Sequence, residues 1–212
     1  MIEEKQLLLQ SLKRKGFSKE ILKAFEKVKR ENFVPENLKD RTYEDTALPI
    51  GKGQTISQPY TIATMFFMLN LRKGQKVLEI GSGCGYVLAL ISRIVGKKGK
   101  VFGIEIIPEL TEKSKKNLKE YRNVKIYIGN GKLGLPKEKP FDRIIISAGY
   151  NEIPKPLVEQ LKEKGIIVAP IGNIHGQSLV AFEKINGKLK LKKEIQGFIF
   201  VPLVEQIYPS RI

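Results

Sequence analysis

Lys76-Val77-Leu78-Glu79-Ile80-Gly81-Ser82-Gly83-Cys84-Gly85-Tyr86 is the stretch that decides the fold of this chain. Val77 to Ile80 is a short apolar run of the kind that forms a buried parallel strand. Three glycines at alternate positions follow it, and from Val87 to Val95 the apolar residues recur with a helical period. A strand that breaks into a glycine-rich turn and then a helix brings main chain against a ligand at the carboxyl end of a sheet strand. Glycine suits such a turn because it accepts unusual backbone angles and has no Cβ to hold a ligand away. The spacing is Gly-x-Gly-x-Gly, not the Gly-x-Gly-x-x-Gly of dinucleotide sites, and so points to an adenosyl-type cofactor with no pyrophosphate to cradle.

Downstream of the turn, strand and helix patterns alternate. The periodicity predicts strand 76–80, helix 86–95, strand 100–105, helix 109–121 and strand 124–128, then strand 141–147, helix 154–163 and strand 165–170. Such alternation implies an α/β fold, a doubly wound, mostly parallel Rossmann-like sheet with helices on both faces. Past Pro170 the helices stop. Strands 177–185 and 188–196 flank Asn186-Gly187, a strong hairpin signal, and predict a C-terminal antiparallel hairpin. The apolar segment Gly197 to Leu203 is expected to return toward the site. Upstream, residues 3–15 and 18–30 read as two amphipathic helices divided at Gly16, with Ser18 as a cap. Residues 33–53 read as an ordered loop, and a helix starts at Pro59 and ends near Asn70. Residues 1–212 are thus expected to form one domain, with an N-terminal helical and loop extension at 1–58, a cofactor-binding core at 59–170 and a C-terminal hairpin and substrate-side segment at 171–212.

Composition narrows the partners. No run of eighteen or more apolar residues is present, so no membrane span is expected, and Met1-Ile2-Glu3-Glu4-Lys5 does not resemble a secretory signal. A single cysteine, Cys84, excludes an intrachain disulfide and fits a reducing, cytoplasmic setting. Its place in the glycine turn raises a nucleophilic role, but the one histidine, His175, is remote in sequence. The formal charge of +16 could mark a nucleic-acid partner. The lysines, however, are spread over Lys13 to Lys29, Lys113 to Lys119 and Lys184 to Lys193, among acids and apolar residues. There is no arginine-rich arm and no interleaved stacking aromatics, so the charge reads as a lysine-rich background or heat adaptation and not as nucleic-acid binding. No metal site is expected, and the sequence assigns no oligomeric state.

Four positions carry the chemistry. Glu105 ends the second strand of the βαβ unit, about 20 residues beyond the glycine turn, where an acid can accept hydrogen bonds from ribose hydroxyls. Glu79 interrupts an apolar strand just before Gly81, which is costly unless it has partners. It either orients the glycine loop, meets a cationic ligand group, or serves as a structural hydrogen-bonding residue. Gly129-Asn130-Gly131 is either a plain tight turn or a loop touching an adenine at the same sheet edge. In Gly53-Gln54-Thr55-Ile56-Ser57-Gln58-Pro59-Tyr60, Ser57 or Gln58 is a helix-cap candidate. Because a helix amino terminus also attracts anions, Ser57 is equally placed to hold a substrate carboxylate.

These stretches, together with Lys132-Leu133-Gly134, Phe141-Asp142-Arg143-Ile144-Ile145-Ile146-Ser147-Ala148, Leu161-Lys162-Glu163-Lys164-Gly165 and Phe200-Val201-Pro202-Leu203, resemble the protein-L-isoaspartate O-methyltransferases over nearly the whole chain. The glycine loop alone says only S-adenosylmethionine-dependent methyltransferase. The Thr55-to-Tyr60 and Phe200-to-Leu203 segments narrow the resemblance to this family. It implies a cofactor set of Thr55, Glu79, Gly81, Ser82, Gly83, Gly85, Glu105, Asn130 and Gly131. It makes Ser57 the active-site serine and lays Val201, Pro202 and Leu203 along an isoaspartyl-containing peptide or protein. Two departures stand out: Asn130 replaces the family's usual Asp, losing a charge, and Tyr60 stands where many members carry His.

Methyl transfer to a carboxylate needs no strong base, since carboxyl pKa values lie near ~4. The lack of an acid–base dyad here therefore weakens hydrolase readings. One alternative is an RNA methyltransferase, which would carry an Asn/Asp-Pro-Pro-aromatic strand end where this chain has Ser147-Ala148-Gly149-Tyr150. Another is a nucleotide-binding oxidoreductase, against which the glycine spacing argues.

Overall fold

Residues 1–173 and 175–203 are described by a computed structural model. The chain begins with helices α1 (Ile2–Arg14) and α2 (Lys19–Lys27). Ser18 caps α2, its hydroxyl accepting from the Ile21 amide at 3.4 Å. α2 ends earlier than its periodicity predicts: Val28 turns extended, and Arg30–Asn32 form a 3-10 turn with Arg30 fully buried. The expected loop instead holds a 3-10 stretch, Glu36–Arg41, and the first strand of a small antiparallel hairpin, β1 (Leu48–Gly51) paired with β2 (Gln54–Ile56). Strands of 4 and 3 residues are too short for alternation to be read. α3 (Pro59–Leu69) follows and stops at Asn70, which adopts the left-handed conformation.

The alternating region comprises β3 (Lys76–Ile80), α4 (Tyr86–Val95), β4 (Lys100–Glu105), α5 (Pro108–Asn117), β5 (Val124–Ile128), β6 (Phe141–Ile146), α6 (Lys155–Gln160) and β7 (Leu161–Asn173). β8 (Gly176–Ile185) and β9 (Lys188–Phe198) complete a seven-stranded sheet ordered β5-β4-β3-β6-β7-β8-β9. Pairing is parallel from β5 to β7 and antiparallel beyond. Asn186 and Gly187 both have positive φ, 53° and 75°, as a tight hairpin turn with the right twist requires.

Strand alternation sorts the core into two layers. Val77, Val101 and Ile145 point to the face covered by α2, α3, α4 and α5. Leu78, Ile80, Phe102, Ile144 and Ile146 point to the other, with Leu157 of α6. Helix α6 stops at Gln160, and β7 begins four residues before the predicted start at 165. The polar run Lys162-Glu163-Lys164 fits a helix end as well as an exposed strand. A break in register between Phe141↔Leu161 and Arg143↔Ile166, with Lys164 at φ 62°, marks the irregularity that the pattern hides.

From β3 the chain runs outward to β4 and β5, then crosses back to β6 on the other side. The carboxyl ends of β3 and β6 therefore form the topological switch point at which open α/β sheets hold ligands. Ile80 is level with both Ile104 and Ile146, so the glycine turn, Glu105 and Ser147 share one edge.

Candidate active site

Gly81, Gly83 and Gly85 adopt φ of 75°, 51° and 88°, values that side chains disfavour. The turn is tied to β4: the amides of Gly81 and Ser82 both donate to the Ile104 carbonyl, at 2.9 and 3.0 Å. Glu105 completes the anchorage. Its Oε2 accepts from the Gly83 amide at 2.7 Å and its Oε1 from the Ile107 amide at 3.0 Å. Each carboxylate oxygen keeps a second lone pair, so acceptor capacity remains toward a ligand.

A cleft opens over this turn. Among the sequence-expected cofactor residues, Thr55, Gly81, Gly83, Glu105 and Gly131 line it, beside Ile104, Ile107 and Ala148. Val201, Pro202 and Leu203, expected along a peptide, also wall this cleft. An adenosyl group suits these walls: bare glycine backbone, flat apolar flanks and one carboxylate acceptor. A Cβ on Gly131 would stand 2.3 Å from Ile80 Cγ2, so no other residue lets this loop approach β3.

The remaining expected cofactor residues do not line the cleft. A Cβ on Gly85 would lie 2.4 Å from Ser114 Oγ and 2.6 Å from Leu118 Cδ1, so the third glycine serves the packing of α4 on α5. Ser82 is buried and its hydroxyl has no hydrogen-bond partner. Asn130 Oδ1 accepts from the Lys132 amide at 2.9 Å and caps the turn Gly131–Leu133. Glu79 lies on the α3–α4 face, 1% exposed, with Oε1 hydrogen-bonded to Ser147 Oγ at 2.7 Å and Oε2 unpartnered. Burial, with Glu105 adding a smaller effect, pushes its carboxyl up to about 8. Cys84 is buried too, its thiol pushed up to about 11, which leaves no thiolate for nucleophilic chemistry.

A second cleft of about 770 Å³ adjoins the first, sharing Thr55, Ser147 and Val201 with it. Ser57 lines this one, with Asp45, Thr46 and the strap Gly197 to Val201. Ser57 is not the cap of α3. Gln58 holds the cap position but its side chain accepts from no helix amide, and Asp45 Oδ1 accepts from the Tyr60 amide at 2.8 Å in its place. Gln58 Nε2 donates to the Asp45 carbonyl at 2.9 Å and locks the two segments together. That leaves the Ser57 hydroxyl to the cleft.

Three buttresses escaped the sequence reading. Arg30, fully buried, donates from Nη1 to the Ser57 carbonyl at 2.9 Å and from Nη2 to the Thr46 carbonyl at 3.1 Å. Burial lowers its pKa, and its guanidinium stacks 5.3 Å from the Tyr86 ring. Gln177 grips Phe200 from both sides of its backbone, Oε1 accepting from the amide at 2.8 Å and Nε2 donating to the carbonyl at 3.3 Å. Gly149, just past β6, donates to the Val201 carbonyl and accepts from the Leu203 amide. Nothing local in the sequence marks an arginine or a glutamine as the holder of a segment 16 to 27 residues away.

The sequence matches the protein-L-isoaspartate(D-aspartate) O-methyltransferase family over residues 3–208. Protein-L-isoaspartate O-methyltransferase 2 of Archaeoglobus fulgidus is 46% identical over 204 residues, 95% of this chain and 93% of that one. The Methanothrix thermoacetophila protein-L-isoaspartate O-methyltransferase is 45% identical, covering 94% of each. A solved protein-L-isoaspartate O-methyltransferase superposes with a TM-score of 0.85 at 34% identity, over 93% of this chain and 65% of that longer one. A family match over residues 3–208, joined by relatives of 45–46% identity over nearly the whole length, shows that the chain belongs to the protein-L-isoaspartate(D-aspartate) O-methyltransferase family.

Proposed function

We propose that this protein transfers a methyl group from S-adenosylmethionine to the free carboxylate of L-isoaspartyl residues in damaged peptides and proteins. The observation that carries this reading is the pair of clefts meeting at Thr55, Ser147 and Val201, one floored by the glycine turn and Glu105, the other walled by Ser57. A related Plasmodium falciparum structure, 28% identical with a TM-score of 0.82 over 94% of this chain and 97% of that one, holds S-adenosyl-L-homocysteine, which supports the cofactor.

When bound, the cofactor supplies an electrophilic methyl carbon on a sulfonium. The chain's own residues bind, align and dry the reactants. Gly81, Gly83 and Gly131 bring bare backbone to the cofactor, and Glu105 accepts from its ribose hydroxyls. Thr55 flanks it, while Glu79, Ser82, Gly85 and Asn130 hold the surrounding loops in shape. Ser57 donates to the isoaspartyl carboxylate or its adjoining peptide, and Val201, Pro202 and Leu203 close over it. The carboxylate is already ionised at neutral pH, so orientation and exclusion of water are what the site must provide. His175, exposed just before β8, lines neither cleft.

The methyl ester so formed favours succinimide closure by the neighbouring amide and return to aspartate, a repair role. Exposed, flexible isoaspartyl sites fit the open second cleft. Among the described residues no helix is long and apolar enough to cross a membrane, and the single buried thiol suits a reducing cytoplasm.

Methyl transfer from labelled cofactor to paired peptides, identical but for isoaspartate or aspartate, tests the reading. Label is expected on the isoaspartyl peptide alone; equal labelling of both, or of neither, contradicts it.

A further inference from the structure

We propose that Ser147 is a substrate-positioning residue, its hydroxyl held by Glu79 and donating to the carboxylate that is methylated. This deepens the activity proposed above and rests on it. Three residues belong to both clefts: Thr55, Ser147 and Val201. Thr55 lies on the short outer hairpin and Val201 is apolar, whereas Ser147 is polar and fixed to the sheet. Its amide donates to the Ile80 carbonyl at 2.8 Å, which sets it level with the end of β3, where cofactor and substrate sides meet.

The partner of Ser147 explains which way its hydroxyl can point. Glu79 is sealed from solvent, forms no ion pair among the described residues, and has one oxygen bonded to Ser147 and the other to nothing. A buried carboxylate with a single hydrogen bond favours its neutral form. A proton on Oε2 would be an orphaned buried donor. A proton on Oε1 is donated to Ser147 Oγ and leaves only an under-satisfied carbonyl oxygen, the commoner defect. In that arrangement Ser147 receives from Glu79 and has its own proton left to give into the cleft. A neutral donor also suits the reaction. The carboxylate loses charge as it is methylated, so a cation at this point would hold the ground state more tightly than the transition state. A hydroxyl orients the nucleophile with less of that penalty.

Ser147→Ala and Ser147→Thr, assayed with labelled S-adenosylmethionine and a short isoaspartyl peptide, test the assignment, alongside calorimetric titration with S-adenosylhomocysteine. Loss of one hydrogen bond from a neutral donor to the ionised carboxylate predicts that Ser147→Ala lowers kcat/KM for the peptide by about tenfold or more, while cofactor affinity stays within about twofold. Ser147→Thr, which keeps the hydroxyl, retains most of the parent's turnover. Unchanged kinetics in folded Ser147→Ala overturns the proposal, as does a folded Ser147→Thr that is as slow as the alanine variant. A Ser147→Ala whose loss of turnover is matched by loss of cofactor affinity also overturns it. The parent enzyme is the control for the parent reading: if it labels the isoaspartyl peptide while Ser147→Ala is unaffected, only the role of Ser147 fails. If the parent labels no isoaspartyl peptide, both fail together.

Discussion

On the cofactor side of the site, the floor is made of turns that directly follow strands, Gly81–Gly83 after β3, Ile106–Ile107 after β4, Gly129–Gly131 after β5 and Ser147–Ala148 after β6, with Thr55 and Val201 to Leu203 added from outside the sheet edge. On the substrate side, apart from Ser147 at the seam, the walls come from 45–47, 55–61 and 197–201, segments far apart in sequence that belong to no common strand edge. The floor of the first region is placed by sheet order. The second is placed by side chains reaching to distant backbone: Arg30 to Ser57 and Thr46, Asp45 to Tyr60, Gln177 to Phe200. One sheet can thus keep a cofactor site while its substrate side changes, because the tethers of the second region lie outside the strand–turn–helix units of the first.

If the two regions are separable, a tether should break one and spare the other. Arg30→Met leaves two inward carbonyls without donors, at about 1–3 kcal/mol each. Stability in urea is expected to fall by about 3 kcal/mol, with peptide turnover lowered and S-adenosylhomocysteine affinity kept; a parallel loss of cofactor affinity would break the distinction. Glu79→Gln probes the seam between the regions through its pH dependence. The folded-state carboxyl sits at about 8, above the unfolded value, so the folded protein holds a proton that the unfolded chain releases. The group's contribution to stability is full below the unfolded pKa and is lost as pH rises toward 8. A glutamine cannot ionise, and the variant should exceed the parent at pH 9, relative to pH 5, by on the order of 4 kcal/mol in urea denaturation. No gain would mean that Glu79 is ionised in the folded protein. Glu105→Gln sharpens the comparison from the cofactor side: one amide group now faces a backbone N–H, and cofactor affinity should drop by roughly tenfold while the peptide KM holds.

The same contrast governs what was legible in the sequence. The glycine turn, the position of Glu105 and the Asn186-Gly187 hairpin are local patterns whose structure follows from neighbouring residues, and they are where the sequence places them. The β1–β2 hairpin was missed because its strands are too short to show alternation. The start of β7 was missed because Lys162-Glu163-Lys164 has no apolar face to give it a period. Of the two cap candidates, Ser57 and Gln58, it is Gln58 that takes the cap position, but the acceptor that serves α3 comes from Asp45, 15 residues before Tyr60. Glu79 could be recognised as anomalous in an apolar strand, but its partner, Ser147, lies 68 residues on and is visible only once β3 and β6 pair.

Ser57→Ala tests most directly the claim that a separate substrate side sits against a sheet-built cofactor side. Isoaspartyl-peptide turnover and S-adenosylhomocysteine affinity should be measured on the same preparation. Turnover is predicted to fall by roughly tenfold or more, as loss of a positioning hydrogen bond would give, with cofactor affinity nearly unchanged. Turnover equal to that of the parent would contradict the account.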